Sequence, residues 1–343
     1  MIPRLKNCEM HSSFQCLAYS DQVLVIHEEF FVKKAVLDIL VCPNCLPEER
    51  ELSAEVAEEK DHDILQGRLI CGHCSMVFPI EDGLAFLDPG AFVGRAGGNR
   101  YETAPVVSSY LWSHYGDLMH DGEASDAYSR WAGLMEPLGG YCLDIGGAVG
   151  RFAFEMTSKS DFVIGIDNST AFIRAARELM RHQRMEVPLA VEGLLTRDLT
   201  LELPGEWDMK KVEFIVGDAL ALPFKGGVFT SLASLNLVDK VPSPLKHLYE
   251  MNRVARAQKA AFLFSDPFSW SEEVAEQEEW LGGKGAGRFA GRGVDNIASI
   301  LNGDGGVLTP PWSVKDRGHV WWKIRTHANH FELIRSCFVK AER

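Results

Sequence analysis

Four cysteines fall in two C-x-x-C knuckles, Cys42-Pro-Asn-Cys45 and Cys71-Gly-His-Cys74. Roughly 25 residues separate them, a little beyond the usual zinc-ribbon spacing. Four thiolates around a tetrahedral ion leave no position for water, so a zinc held by Cys42, Cys45, Cys71 and Cys74 is expected to be structural rather than catalytic. A redox dithiol is the competing use, and His73 reads as a solvated neighbour. A second constellation lies at Asp144, Gly146, Gly147 and Gly150, spaced D-x-G-G-x-x-G, where a dinucleotide fold would read G-x-G-x-x-G. Such glycines let a ligand approach the backbone, and a following helix would present free amides to it. Two further acids close apolar runs: Asp167 after Phe162 to Ile166, and Asp218 after Val212 to Val216 and Gly217. An acid at the tip of a second strand, here Asp167 with Asn168 behind it, is placed to take hydrogen bonds from ribose hydroxyls. Asp218 with Ala219 could hold an adenine amino group.

The elements that must carry these residues alternate. The apolar runs at Tyr141 to Ile145, Phe162 to Ile166, Val212 to Val216, Phe229 to Leu237 and Ala260 to Phe264 read as strands. Helices are expected at Phe152 to Thr157, from Asn168 or Ser169 as caps through Phe172, Ala176 and Leu179, and near Pro244 to Ala255. Trp321 to Arg325 and Cys337 to Lys340 suit a terminal antiparallel pair. The expected fold is α/β, a doubly wound Rossmann-like sheet with ligands outside its carboxyl ends, plus a small N-terminal zinc-ribbon domain. The expected organisation is an extension over 1–32, whose clearest strand is Gln22 to Ile26, the zinc ribbon over 33–90, a linker over 91–100 and the catalytic domain over 101–343. Between the knuckles the acidic stretch Glu48 to Asp63 is expected to be a helix with a solvated face.

Composition narrows the partners. The chain has 343 residues, 46% of them hydrophobic, enough for a large α/β domain and a smaller module. A formal charge of −13 argues against a broad phosphate-binding surface, so a small-molecule substrate is favoured over nucleic acid. No apolar run approaches the roughly 20 residues of a membrane span, and a cytoplasmic location without membrane partners is expected. Oligomeric state is not legible.

The acids Asp144, Asp167 and Asp218 at three strand ends resemble those of the class I S-adenosylmethionine-dependent methyltransferases, over about residues 100 to 343. The cysteine segments Leu37 to Cys45 and Leu69 to Gly83 are similar to the small zinc proteins that activate methyltransferases acting on RNA and protein. In that family the activator docks on a separate catalytic chain; here the two are fused. A narrower resemblance rests on Asn99 to Gly116, Val191 to Leu195, Asn236 to Asp239, Asp266 to Trp270, Trp280 to Gly283 and Lys323 to His327. These segments look like the methyltransferase domain of ovothiol biosynthesis, whose members methylate an imidazole nitrogen of 4-mercaptohistidine. Gly147 stands where that family commonly has cysteine, and the zinc module is a larger departure.

The resemblances imply S-adenosylmethionine as methyl donor, with Asp144, Gly146, Gly147 and Gly150 at its methionine end, Asp167 at the ribose and Asp218 and Ala219 at the adenine. Asn236 would lie beside the reacting methyl. Acceptor-side candidates are Tyr110, His114, Tyr115, Asp266, Trp270, Arg325 and His327. Arg325 could pair with a carboxylate, and His114 or His327 could accept a proton near neutral pH. The glycine-rich stretch Gly282 to Gly293 suits a loop over the pocket or a small basic contact. Three uses compete: methyl transfer to a small thiol- or imidazole-bearing amino-acid-like molecule, transfer to RNA or protein, and noncatalytic cofactor binding.

Overall fold

The computed structural model describes residues 32–60, 63–92 and 100–343. The expected strand at Gln22 to Ile26 lies outside them, as does most of the expected linker.

The N-terminal module contains β1 (Val32–Lys33), β2 (Leu52–Lys60), β3 (Asp63–Cys71), β4 (Val77–Glu81) and β5 (Leu84–Leu87). The acidic stretch is strand, not helix: β2 pairs antiparallel with β3 from Leu52 opposite Cys71 to Lys60 opposite Asp63. Its side chains stay almost wholly exposed, so backbone pairing and surface ion pairs such as Arg68–Glu55 at 2.6 Å fix the conformation, whatever helix preference the glutamates carry.

The larger part begins with α1 (Ala104–Tyr115) and α2 (Ala127–Gly133). There follow β6 (Tyr141–Ile145), α3 (Arg151–Met156), β7 (Phe162–Asp167) and α4 (Thr170–His182). A hairpin of β8 (Arg184–Glu192) and β9 (Leu195–Glu202) precedes β10 (Val212–Gly217) and β11 (Phe229–Leu235). The chain then passes through α5 (Pro244–Val254), β12 (Ala261–Asp266) and α6 (Gly293–Leu301) to a long terminal hairpin, β13 (Ser313–His327) and β14 (His330–Glu342).

Apart from β8 and β9, which make a two-stranded sheet of their own, these strands form one sheet in the order β1-β3-β4-β5-β10-β7-β6-β11-β12-β14-β13, with β2 on β3. From β5 to β12 neighbours are parallel, and β14 and β13 join antiparallel. Module and catalytic sheet are therefore continuous: β5 lies parallel to β10, with Phe86 opposite Val216 and Leu87 opposite Gly217. Strand residues alternate between two cores. Cys142, Val163 and Phe214 pack with α1 to α4, while Leu143, Ile164 and Ile215 pack with α5, α6 and the module's Val36, Leu40 and Phe78. Burial on both faces explains the continuous apolar runs of the central strands.

Polar contacts fasten the same junction. Val41 N–H donates to Pro223 O at 2.9 Å, and Lys225 N–H donates to Ile39 O at 2.8 Å. Lys33 gives its amide to Glu213 Oε2 at 2.9 Å, and the same buried carboxylate pairs with Arg177. No described helix is long and apolar enough to cross a membrane.

Candidate functional site

The order of strands reverses between β6 and β11, and the crevice outside their carboxyl ends holds a cavity of about 540 Å³. Open α/β sheets bind ligands at such a switch point. Gly146 leaves β6 at φ 72°, where an added Cβ would lie 2.8 Å from Leu237. At Gly147 a Cβ would lie 2.6 Å from Asp144 Oδ2, so the turn closes directly on that carboxylate. Asp144 is buried, and its Oδ2 has no hydrogen-bond partner among the described residues. Burial pushes its carboxyl up to about 7, against the pull of the Ala153 amide.

Asp167 ends β7. Its Oδ1 accepts from Ser169 N at 2.8 Å and its Oδ2 from Ala148 N at 3.1 Å, which locks the carboxylate between the glycine turn and α4. Ser169 caps that helix by accepting from Phe172 N at 3.2 Å. Burial raises the Asp167 carboxyl to about 6 despite both amides. Asp218, after β10, accepts from Leu220 N at 2.9 Å. Gly146, Asp167, Asn168, Asp218, Ala219 and Asn236 all line the cavity, whereas Asp144, Gly147 and Gly150 stand behind the lining. The module reaches the wall through Gly90.

Beyond the acids the wall is aromatic. Tyr101, Tyr110, His114 and Tyr128 come from the segment before β6, Phe172 from α4 and Trp322 from β13. Tyr110 and His114 are four residues apart on α1, hence on one helix face. Tyr115 is then turned away: it is buried, and its hydroxyl donates to Val149 O at 2.7 Å. The structure likewise does not bring Arg325 or His327 to the lining. Trp322 faces the cavity, so Arg325 sits on the opposite side of the strand. Its guanidinium donates to Ala190 O at 3.1 Å, and His327 Nδ1 accepts from Asn329 N at 3.3 Å.

Asp266 is buried and spends Oδ1 on Phe268 N at 2.6 Å, and Trp270 stacks on Trp280 at 6.2 Å. Residues 282–293 close on themselves through Gly283 N to Gly291 O at 2.7 Å and Gly291 N to Lys284 O at 2.8 Å, and none of them lines the cavity. Asn236 stands at φ 57° after β11, its amide donating to Ser265 O at 2.6 Å. Sequence reasoning missed Tyr128, Trp322 and Lys240 in the wall. Alternation on the terminal strand offered a signal for Trp322; α2 carries no motif that singles out Tyr128.

The four knuckle cysteines converge, with all four Sγ atoms within 4.8 Å of one another. Cys42 and Cys74 are 3.7 Å apart, as are Cys45 and Cys71. A tetrahedron with Zn–S bonds of about 2.3 Å has edges of about 3.8 Å, so the donor set fits.

With this geometry in view, residues 143–263 match the methyltransferase domain model and residues 33–83 match the model described as Trm112p-like protein. The chain carries an S-adenosylmethionine-dependent methyltransferase domain. Joined to it is a Trm112-like module. Curated proteins give no match. Among solved structures, similar ones include an S-adenosylmethionine-dependent methyltransferase from Methanosarcina mazei (18% identity, 64% of this chain and 99% of that one, TM-score 0.41). Another is the complex between the Haloferax volcanii Trm112 methyltransferase activator and a putative methyltransferase (12%, 72% and 99%, TM-score 0.43). A third is Haemonchus contortus phosphoethanolamine N-methyltransferase 2 with S-adenosyl-L-methionine (17%, 72% and 48%, TM-score 0.39). Neither matching model specifies an acceptor.

Proposed function

We propose that this chain transfers the methyl group of S-adenosylmethionine to a small thiol- or imidazole-containing, amino-acid-like acceptor of the mercaptohistidine kind. The observation that carries the reading is the aromatic closure of the cavity by Tyr110, His114, Tyr128 and Trp322. Its volume of about 540 Å³ falls in the range of roughly 300–1,000 Å³ common to small-molecule sites. Of the ovothiol-like segments, Asn99 to Gly116 contributes Tyr101, Tyr110 and His114 to this wall and Asn236 to Asp239 contributes Asn236 and Leu237, while Lys323 to His327 contributes none.

When bound, S-adenosylmethionine supplies a methyl already activated on a sulfonium, so the protein's task is placement. In this reading Asp144, Gly146, Gly147 and Gly150 shape the methionine end, Asp167 and Asn168 take the ribose, and Asp218 and Ala219 the adenine. Asn236 and His114 face the acceptor. Tyr115, Arg325 and His327 support the wall from behind. Cys42, Cys45, Cys71 and Cys74 hold a structural zinc, which requires the reduced thiols of a compartment such as the cytoplasm.

The Trm112-like module favours a second reading, transfer to RNA or protein with the module as built-in activator. Incubation with methyl-labelled cofactor and a cell extract, fractionated into small molecules, RNA and protein, separates the two. We expect label in the small-molecule fraction and on added 4-mercaptohistidine. Label confined to macromolecules overturns the first reading.

A further inference from the structure

Two hydrogen-bond relays end in the cavity wall. In one, Trp322 Nε1–H donates to Ser336 Oγ at 3.0 Å, which directs the Ser336 hydroxyl hydrogen to Asn236 Oδ1 at 2.5 Å. An amide whose oxygen is taken presents its NH₂ elsewhere. Asn236 Nδ2 is buried and has no partner among the described residues.

In the other relay, Tyr128 Oη and His114 Nε2 lie 2.6 Å apart, with the rings stacked at 3.8 Å. Burial lifts the Tyr128 phenol well above its usual range and drops the His114 imidazole well below its own. Tyr128 therefore keeps its proton and His114 stays neutral. His114 Nε2 is the hydrogen-bond partner shown for that hydroxyl, so the phenol donates to Nε2 and the single imidazole hydrogen sits on Nδ1. His114 Nδ1, too, is buried without a partner among the described residues.

Resting on the reading of this cavity as a methyl-acceptor site, we infer that His114 Nδ1–H and Asn236 Nδ2–H are paired donors for an anionic group of the acceptor, its thiolate, and that Tyr128 and Ser336 are positioning residues that aim them. Two N–H donors with no protein acceptor call for a lone-pair-rich ligand atom. A carboxylate is the other anion such a molecule offers, and carboxylates are best matched by a cationic partner. Among the described residues Lys240 is the one Lys or Arg in the lining, and its ammonium is already paired with Asp239 at 3.1 Å. Neutral donors suit a thiolate, whose charge is spread over a large sulfur. Binding there lowers the thiol's pKa and selects the ionised form.

Two measurements test this. Nitrogen-15 spectra of histidine-labelled protein should show His114 as the Nδ1–H tautomer, and Tyr128→Phe should abolish that fixed form. An Nε2–H tautomer in the parent overturns the inference whatever the acceptor proves to be. Calorimetry on protein loaded with S-adenosylhomocysteine should show 4-mercaptohistidine and 4-mercaptoimidazole binding more tightly as pH rises towards the thiol pKa. Tyr128→Phe and Ser336→Ala should each weaken both by about tenfold, the order of a lost hydrogen bond to a charged group. S-adenosylhomocysteine affinity should not change, histidine should bind weakly and insensitively, and Ser336→Thr should restore the parent value. Sensitivity that follows the carboxylate, with histidine affected and 4-mercaptoimidazole not, overturns the thiolate assignment, as does no binding of either thiol. Label transfer to macromolecules alone, by contrast, counts against the acceptor reading and leaves the tautomer result standing.

Discussion

The backbone of Phe86 runs in parallel register beside that of Val216, two residues before Asp218 at the cavity. The cysteine module is thereby an edge strand's worth of the catalytic sheet, and its core side chains share one layer with those of β6, β7 and β10. Loss of metal from Cys42, Cys45, Cys71 and Cys74 is expected to destabilise the whole chain, because binding energy at a structural zinc is folding energy. Replacing Cys42 and Cys71 with serine should lower the melting temperature by about 10 °C or more. Scanning calorimetry should show one transition; a second, unshifted transition for the larger part speaks against a shared sheet.

Asp167 joins the glycine turn to α4 and faces the cavity at once. Asp167→Asn keeps the size and one oxygen but removes the charge. We expect S-adenosylmethionine affinity to fall by roughly 10- to 100-fold, as for hydrogen bonds to a charged group. Titration calorimetry gives the number directly, and an unchanged dissociation constant removes Asp167 from the ribose end.

The buried acids also set a pH dependence. Asp144, at about 7, and Asp167, at about 6, are lifted by burial above the ordinary carboxyl range. Their contribution to folded-state stability is full below about pH 4 and is lost as pH rises through those raised values. Cofactor binding runs the other way, since ribose hydroxyls and an ammonium group favour ionised carboxylates. Affinity for S-adenosylmethionine should therefore rise as pH climbs through about 6 to 7 and level off above. A dissociation constant flat or worsening over that span contradicts the assignment.

Arg151 is nearly buried and binds Asp117 at 2.8 Å, Glu155 at 2.8 Å and the His114 carbonyl at 3.0 Å. Removing one partner of such a buried network leaves charges unmatched, at a cost of about 3–5 kcal/mol. Arg151→Met should lower stability by that order in urea unfolding. It should also loosen the C-terminal turn of α1, reducing protection of the His114 amide in hydrogen exchange.

Arg325 provides the contrasting case. Its guanidinium is held on Ala190 O, on the strand face opposite Trp322. Arg325→Ala is expected to leave methyl transfer within about threefold of the parent, since it removes no group facing the cavity. Asn236→Ala should reduce transfer by more than tenfold, given the role proposed for its amide. Initial rates under saturating cofactor compare the two, and the reverse ranking returns Arg325 to the acceptor.

Much of the sheet was legible because its central strands are buried on both faces and read as apolar runs, each ending in or followed by an acid, a glycine or, after β11, Asn236. Ser169 announced α4 by its side-chain chemistry. The acidic stretch misled for a physical reason: with both faces of β2 in water, no periodicity distinguishes strand from helix, and pairing with β3 decides. At the site, the acids were visible as strand-end residues, while the acceptor wall was visible only in part: Tyr110 and His114 stood among the candidates, Tyr128 and Trp322 did not. His114 and Tyr115 are adjacent in sequence but about 100° apart on a helix, and only packing selects which one faces inward. Tyr128 matters through a partner fourteen positions away, and Asn236 is steered by Ser336 a hundred positions later. No local pattern encodes either pairing.

Gly90 and Trp322 meet the same cavity from opposite ends of the fold. During synthesis β5, which leads into the turn carrying Gly90, waits for β10, and the wall at Trp322 waits for the β13–β14 hairpin, whose return strand β14 ties it to β12. Synthesis has thus run past both strands of that hairpin before the crevice has all its sides. A ligand that needs every side of the crevice therefore meets a sheet already assembled and does not template it.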